Sequence, residues 1–440
     1  MKILIASSPF TGHINPMFSI GRMLVSQGHE VAGLSASAMR SAIEGAGATF
    51  YPFPDAIDRD YRDMAAVFPD YKDIPPGLEM SRFYLERVFI DPIPAQDEGL
   101  KRVLSEFSAD VILADNLFFG AFPMLLGSSL DRPPIILCGT MFLHFRRDDG
   151  APNFAGLLPA QNEVEREAYA VIAKDHEEVL YLPVRKHLNN CLWRMGIKPL
   201  AMDAHEAAVV LPDAYLQLTV PDFEFPRRDL PRSISFVGAL PIIPRQAPLP
   251  PWARDLDGSR KVVLVTQGTV SNHNFDQLII PTLAALANEP DVLVVATTGG
   301  RPIEAIASAI PSNARIATYL PFEWLLPHVD ALVTNGGYGS VNQALSFGIP
   351  LVAAGLTEDK ADTNARVAWS GVGIDLKTQE PTSSALREAI RAVLDMRSYR
   401  ARSARMAAEF AKMDTRSEIL SILDDVVRDA AQRRGRARAI

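Results

Sequence analysis

A chain of 440 residues, 48% hydrophobic and 22% charged, is too long for one ordinary core and too apolar for extended disorder, so two domains are expected. The formal net charge of −8, from 44 Lys plus Arg against 52 Asp plus Glu, argues against nucleic acid as a partner. Two cysteines at no metal-ligand spacing, Cys138 and Cys191, argue against a disulfide framework or a structural zinc site.

The opening run Met1 to Ser7 is short and apolar, as in a strand buried on both faces. Pro9, Gly12 and His13 end it early, no signal-peptide cleavage pattern follows, and no stretch approaches the roughly 20 apolar residues of a membrane helix. A soluble, cytoplasmic protein is expected. Pro16 opens a helical pattern with Met17, Ile20, Met23 and Leu24 on one stripe, Gly28 is placed to end it, and Glu30 to Leu34 starts the next strand. Such a βαβ unit implies a parallel sheet with helices on both faces. Further strand-like runs are Asp110 to Ala114, Pro134 to Leu137, Ala208 to Leu211 and Tyr215 to Leu218.

Pro241, Pro244, Pro248, Pro250 and Pro251 then suit an extended linker over 241–256. After it the pattern restarts, with strands expected at Lys261 to Thr266, Asp291 to Ala296, Ala331 to Thr334 and Pro350 to Ala354, and a helix at Leu278 to Ala287. The fold class is therefore α/β, with two Rossmann-like, doubly wound domains over 1–240 and 257–415 facing across a cleft. Ile419, Leu420, Ile422, Leu423 and Val426 give 416–440 a last helix, expected to pack back on the first domain. The basic tail with Arg433, Arg434, Arg436 and Arg438 is read as a frayed, solvated end.

Four features carry chemistry. His13 follows a strand at the rim where a doubly wound sheet exposes its ligand site, where a neutral imidazole can take a proton near pH 7. Asp115 ends a strand at the same kind of rim; its carboxylate either fixes the tautomer of His13 or caps a helix. The turn Asn335-Gly336-Gly337-Tyr338-Gly339-Ser340 feeds a helix, and free N–H groups there favour a phosphate; tight packing is the plainer explanation. Thr357-Glu358-Asp359-Lys360 follows another strand, with acid and base placed to grip sugar hydroxyls or simply to face water. Asp58-Arg59-Asp60 fits a metal-holding DxD pattern but follows no strand, so no metal site is assigned.

Together these stretches resemble the family 1 glycosyltransferases of GT-B fold. The likeness runs from Gly12-His13-Ile14-Asn15-Pro16 through Leu218-Thr219-Val220 to Tyr319-Leu320-Pro321, Asn335-Gly336-Gly337, Gly339-Ser340, Gly348-Ile349-Pro350, Asp359-Lys360 and Gly371-Val372-Gly373. It is greatest toward bacterial members that glycosylate macrolides, flavonoids and other natural products. The resemblance implies that His13 is the general base with Asp115 as its partner. It implies a donor site in which Tyr319 stacks on uracil, Leu320 meets its edge, and Gly268 and Thr269 line the diphosphate. Gly336, Gly337, Gly339 and Ser340 would bind phosphate, Gly12 would let backbone approach the donor, and Asp359 and Lys360 would face the sugar. Two positions depart from the family: Asn335 stands where histidine is usual, leaving a neutral amide for that phosphate contact, and Lys360 where glutamine is common. Phe68, Tyr71, Phe83, Tyr84, Phe89, Phe118, Phe119, Phe142 and Trp193 are the expected lining of an apolar acceptor pocket, or else core.

The expected activity is inverting, metal-independent transfer from UDP-glucose to a small hydrophobic hydroxylated acceptor. UDP-sugar is a co-substrate, no cofactor is expected, and the chain is taken as a monomer or weak homodimer. The alternatives are a sugar-nucleotide 2-epimerase of the same fold and a catalytically silent helper protein.

Overall fold

Runs of Val, Ile and Leu without polar alternation bury their side chains only when both faces of the strand are covered, and the chain forms two such sheets. The computed structural model describes residues 1–241, 249–268, 272–306 and 310–438; Pro244, Pro248 and Thr269 lie outside the described residues. The first sheet contains β1 (Lys2–Ala6), β2 (Glu30–Ser35), β3 (Thr49–Pro52), β4 (Val111–Asp115), β5 (Ile135–Gly139), β6 (Ala214–Gln217) and β7 (Ile234–Phe236). All pairs are parallel, in the order β3-β2-β1-β4-β5-β6-β7, with Ile3 opposite both Val31 and Val111. The second contains β8 (Lys261–Thr266), β9 (Val292–Thr297), β10 (Ala314–Ala317), β11 (Ala331–Thr334), β12 (Leu351–Ala353) and β13 (Gly373–Asp375), ordered β10-β9-β8-β11-β12-β13 and again parallel.

Each sheet reverses its winding at one place, between β1 and β4 in the first and between β8 and β11 in the second. There the loops leaving neighbouring strands diverge to opposite faces and leave a crevice at the carboxyl ends.

Two local expectations fail for physical reasons. Ala208 to Leu211 is not a strand: the Asp203 carboxylate accepts from the N–H groups of His205 at 3.0 Å and Glu206 at 2.9 Å and starts the helix Ala204–Val210. The helix that follows β1 spans Thr11–Ser26, so Pro16 lies inside it and His13 sits in its first turn rather than in a loop. Its start is fixed by the Phe10 carbonyl, which accepts from the N–H groups of His13 at 2.9 Å and Ile14 at 2.8 Å.

The last helix, Thr415–Arg438, crosses to the first sheet, where Ile419, Leu423 and Val426 pack in one cluster with Ile3, Ile5, Val111 and Leu216. The basic tail is a correction to the frayed end expected: Arg433 donates to Asp213 at 2.9 Å and Arg434 to the Arg132 carbonyl at 2.6 Å. Arg132 also pairs with Asp213 at 2.6 Å, so an acidic group with a free lobe anchors the cationic end of the helix. Among the described residues no helix is long and apolar enough to cross a membrane.

Ile419→Ala should cost about 2–4 kcal/mol of stability, because the fully buried side chain leaves a cavity beneath the first sheet. Arg436→Ala, at an exposed position, should change it by less than about 0.5 kcal/mol. Urea denaturation of both variants checks this; equal effects would mean that the helix is not docked on that sheet.

Candidate functional site

His13 and Asp115 come together because β1 and β4 are neighbours at the first reversal point. His13 Nδ1 lies 2.9 Å from Asp115 Oδ1 and 3.0 Å from Thr140 Oγ1. The Thr140 hydroxyl donates to Asn116 Oδ1 at 3.0 Å, so its oxygen accepts from the imidazole. This network places the ring proton on Nδ1 and leaves Nε2 as the basic atom.

Asp115 is fully buried, and burial pushes its carboxyl up. The His13 imidazole and the N–H groups of Ser8 at 2.6 Å and Leu117 at 2.9 Å outweigh burial and hold it below the usual carboxylate range. The aspartate is thus a fixed anion that orients the ring. Ser8, Asn116 and Thr140 were not singled out in the sequence; each follows the end of a strand in this sheet, and that position was the available signal.

The second half offers backbone rather than charge. The helix Tyr338–Ser346 begins directly after Gly337 with no side chain capping it, so its first N–H groups are free for a ligand. Its entry requires glycine at 336, where φ is +97° and a Cβ would meet the Asn364 amide at 2.0 Å. Gly339 is exposed, Ser340 is half-buried, and a side chain at Gly12 or Gly339 would meet no described protein atom within 4 Å.

Asn335 departs from the role expected for its side chain. The residue is buried and its amide donates to the Gln267 carbonyl at 2.8 Å, tying the exit of β11 to that of β8. Gly268 follows that exit in the left-handed region, with φ +69°. Tyr319 is 60% exposed, its hydroxyl donating to the Gly299 carbonyl at 3.3 Å, while Leu320 packs against the core. Arg301, which the sequence reading missed, stands nearby with its guanidinium on Asn272 Oδ1 at 3.1 Å.

Asp359 and Lys360 start the helix Lys360–Ser370 at the carboxyl end of the second sheet. Burial pushes the Asp359 carboxyl up to about 6, opposed by its own N–H and by the His13 imidazole across the interdomain gap. Burial lowers Lys360 to about 7, and its ammonium pairs with Glu358.

The aromatic expectation needs the most correction. Phe118, Phe119 and Phe142 are fully buried and present no surface to a ligand; they fill the volume behind β4 and β5. Trp193 is 72% exposed, on the helix Leu182–Arg194. Phe68, Tyr71, Phe83, Tyr84 and Phe89 lie in one cluster that leads to the imidazole, joined by Phe10 and Tyr61, which the sequence does not single out. Phe68 stacks on Tyr61 at 6.2 Å, Tyr61 on Phe10 at 5.3 Å, and Phe10 and Phe89 flank His13 at 6.3 and 6.4 Å. Tyr61 and Phe89 also line a small cavity beside Ser8 and Pro9. In the DxD sequence, Asp58 accepts from the Ser37 N–H at 2.7 Å while Asp60 pairs with Arg62, so the two carboxylates serve separate local contacts.

Residues 281–426 match the family described as erythromycin biosynthesis protein CIII-like, C-terminal domain. The chain is 38% identical over 430 residues to a 4'-demethylrebeccamycin synthase from Lentzea aerocolonigenes, covering 97% of this chain and 99% of that protein. It is 32% identical to UDP-glucosyltransferase A1 of Starmerella bombicola, over 98% of this chain and 92% of the relative. The crystal structure of CalG4, the calicheamicin glycosyltransferase, superposes with a TM-score of 0.72 at 19% identity, over 97% of this chain and 98% of that one. The shared architecture is the GT-B arrangement of two facing Rossmann-like domains.

The raised Asp359 carboxyl has a stability signature. Between its ordinary value near 3.8 and about 6, the folded chain keeps a proton that the unfolded chain has lost. The contribution is therefore full below about pH 4 and falls away as pH rises through about 6. Asp359→Asn should raise Tm by a few degrees at about pH 7.5 and leave it nearly unchanged at about pH 4, as read by differential scanning fluorimetry. Equal shifts at both pH values would remove Asp359 as the titrating group.

Proposed function

We propose that this chain, which belongs to the UDP-glycosyltransferase family and is a glycosyltransferase using a nucleotide sugar, transfers glucose from UDP-glucose to a hydroxyl of a flat apolar acceptor with inversion at the anomeric carbon. The carrying observation is the His13–Asp115 pair, with Nε2 left basic. Nε2 accepts the acceptor hydroxyl proton as the oxygen bonds to the anomeric carbon. The bond from that carbon to the diphosphate oxygen breaks on the opposite face, and its electron pair leaves with UDP. Buried Asp115 balances the imidazolium charge while the proton is held.

The free N–H groups at the start of the Tyr338–Ser346 helix, with the positive end of its dipole, would stabilise charge growing on the leaving diphosphate. No step of this scheme requires a metal ion or a resident cofactor. Tyr319 offers an exposed ring for uracil, and Asp359 and Lys360 would face the sugar hydroxyls. Glucose is favoured by the name of the relative called a UDP-glucosyltransferase. An acceptor with fused or linked aromatic rings suits the parallel rings of Phe10, Tyr61 and Phe68 beside the base. Base and donor cradle come from one chain, so one chain suffices as the catalytic unit. Free thiols at Cys138 and Cys191 suit the cytoplasm.

His13→Ala should lower kcat by about 10²–10⁴-fold, the usual contribution of a positioned base. Its Kd for UDP by calorimetry should stay within about threefold. A variant turning over at the wild-type rate removes His13 from the chemistry. Proton NMR of the product from α-linked UDP-glucose should show a β-glycoside; an α product refutes inversion. Phe89→Ala should raise the acceptor KM about tenfold, roughly 1.4 kcal/mol of lost contact, with the donor KM unchanged. An unaltered acceptor KM would place the aglycone elsewhere.

A further inference from the structure

Away from the reacting groups, one short segment of the first half meets both donor-side helices through buried polar contacts. Gln217 ends β6 and donates to the Tyr338 hydroxyl at 2.7 Å; Thr219 donates to Asn342 Oδ1 at 2.5 Å. After a turn at Pro221–Phe223, the Glu224 carboxylate accepts from Arg366 Nε at 2.8 Å. Glu224 is itself held by the Leu143 N–H at 2.8 Å, with Arg227 at 3.6 Å and the Tyr338 hydroxyl at 3.5 Å. Arg366 is fully buried, its guanidinium over the Phe142 ring at 4.4 Å and the Phe225 ring at 4.2 Å. A fourth tie runs from the Gly156 N–H to Asp362 at 3.2 Å.

The partners on the second half are not scattered. Tyr338 and Asn342 belong to the helix whose first turn offers free N–H groups, and Asp362 and Arg366 to the helix that begins beside Asp359. Arg366 lies about 10 Å along a single rigid helix from the sugar-facing end. Apolar contact is non-directional and would let the two domains slide. A planar guanidinium bonded to a carboxylate and held against two aromatic rings keeps those contacts in one orientation only. A buried ion pair of this sort adds little net stability over apolar side chains of similar volume, although losing one partner is costly.

We propose that Glu224 and Arg366 are positioning residues: their buried ion pair fixes the donor-binding half on the base-bearing half, so that anomeric carbon and His13 meet in one register. The effect on rate rests on the transfer reading above; the effect on domain arrangement does not. Displacing reacting groups by about 1 Å costs on the order of 10²-fold, and that is the loss expected here.

The test compares Glu224→Gln, Arg366→Met and the double variant E224M/R366M with the wild type in the full chain. The readouts are UDP affinity by calorimetry, kcat and KM, thermal midpoint, and radius of gyration by small-angle scattering. Each single variant should expand in solution, lose about 10²-fold in kcat and bind UDP within about threefold of wild type. The double variant removes both members of the pair but leaves Arg227 and Asp362 without the partners they have here, so it should recover part of the thermal midpoint but not kcat. Recovery of kcat together with the midpoint would overturn the proposal, since the pair would then merely fill the interface. Single variants that keep both the wild-type scattering curve and kcat would overturn it equally. If the charged variants do not fold, Tyr338→Phe removes one hydroxyl and no volume. It should lower kcat about tenfold at unchanged UDP affinity, and an unchanged kcat would count against the clamp. Absence of transfer by the wild type would refute the transfer reading while leaving the scattering comparison to decide the clamp.

Discussion

The contact between His13 and Asp115 exists because β1 and β4 are adjacent strands, and much of the site depends on that adjacency. The two residues are separated by β2, β3 and the helices between, yet the reversal of winding order places the exits of β1 and β4 side by side. The Ser8 N–H, just beyond β1, and the Leu117 N–H, just beyond β4, then both point at one carboxylate. A charge with no exposure to water is held by donors that are themselves products of strand register. The second sheet repeats the arrangement with backbone in place of side chains. The exits of β8 and β11 are tied by the Asn335 amide, and the helix after β11 presents its free N–H groups to the cleft.

Burial divides the charged groups of the interior into two kinds. Asp115 is ionised because its hydrogen bonds and the imidazole outweigh desolvation, whereas desolvation dominates at Asp359 and Lys360 and pushes both toward neutrality. Glu224 pairs with Arg366 and Arg227, and Arg366 also with Asp362, so charge in that part of the interior is balanced by opposite charge.

The strands that sequence pattern missed share one property. β3, β7, β10 and β13 are the edges of the two sheets, and all four carry half-buried or exposed positions that break the apolar run. Central strands are covered on both faces and are legible as continuous Val, Ile and Leu; an edge strand of three or four residues is not. The short run at 208–211 failed the other way, since four apolar residues suit a buried helix face equally well once Asp203 caps its start. Among the aromatic residues, burial reversed the expectation for Phe118, Phe119 and Phe142. Phe89, expected as pocket lining, does flank the imidazole, while Phe10 on its other side and Tyr61 stacked on Phe10 carry no pattern that separates them from core.

What the sequence determined alone was local and periodic: central strands, the glycine turn before a helix, and the histidine and aspartate at strand exits. These follow from hydrophobic runs and from residue types that only certain backbone conformations accept. Tertiary structure decided which exits are neighbours, which rings face the cleft, that the basic tail docks on Asp213, and that one segment from Gln217 to Glu224 grips both donor-side helices. Those outcomes depend on distances between residues tens to more than two hundred positions apart, and no local pattern encodes them.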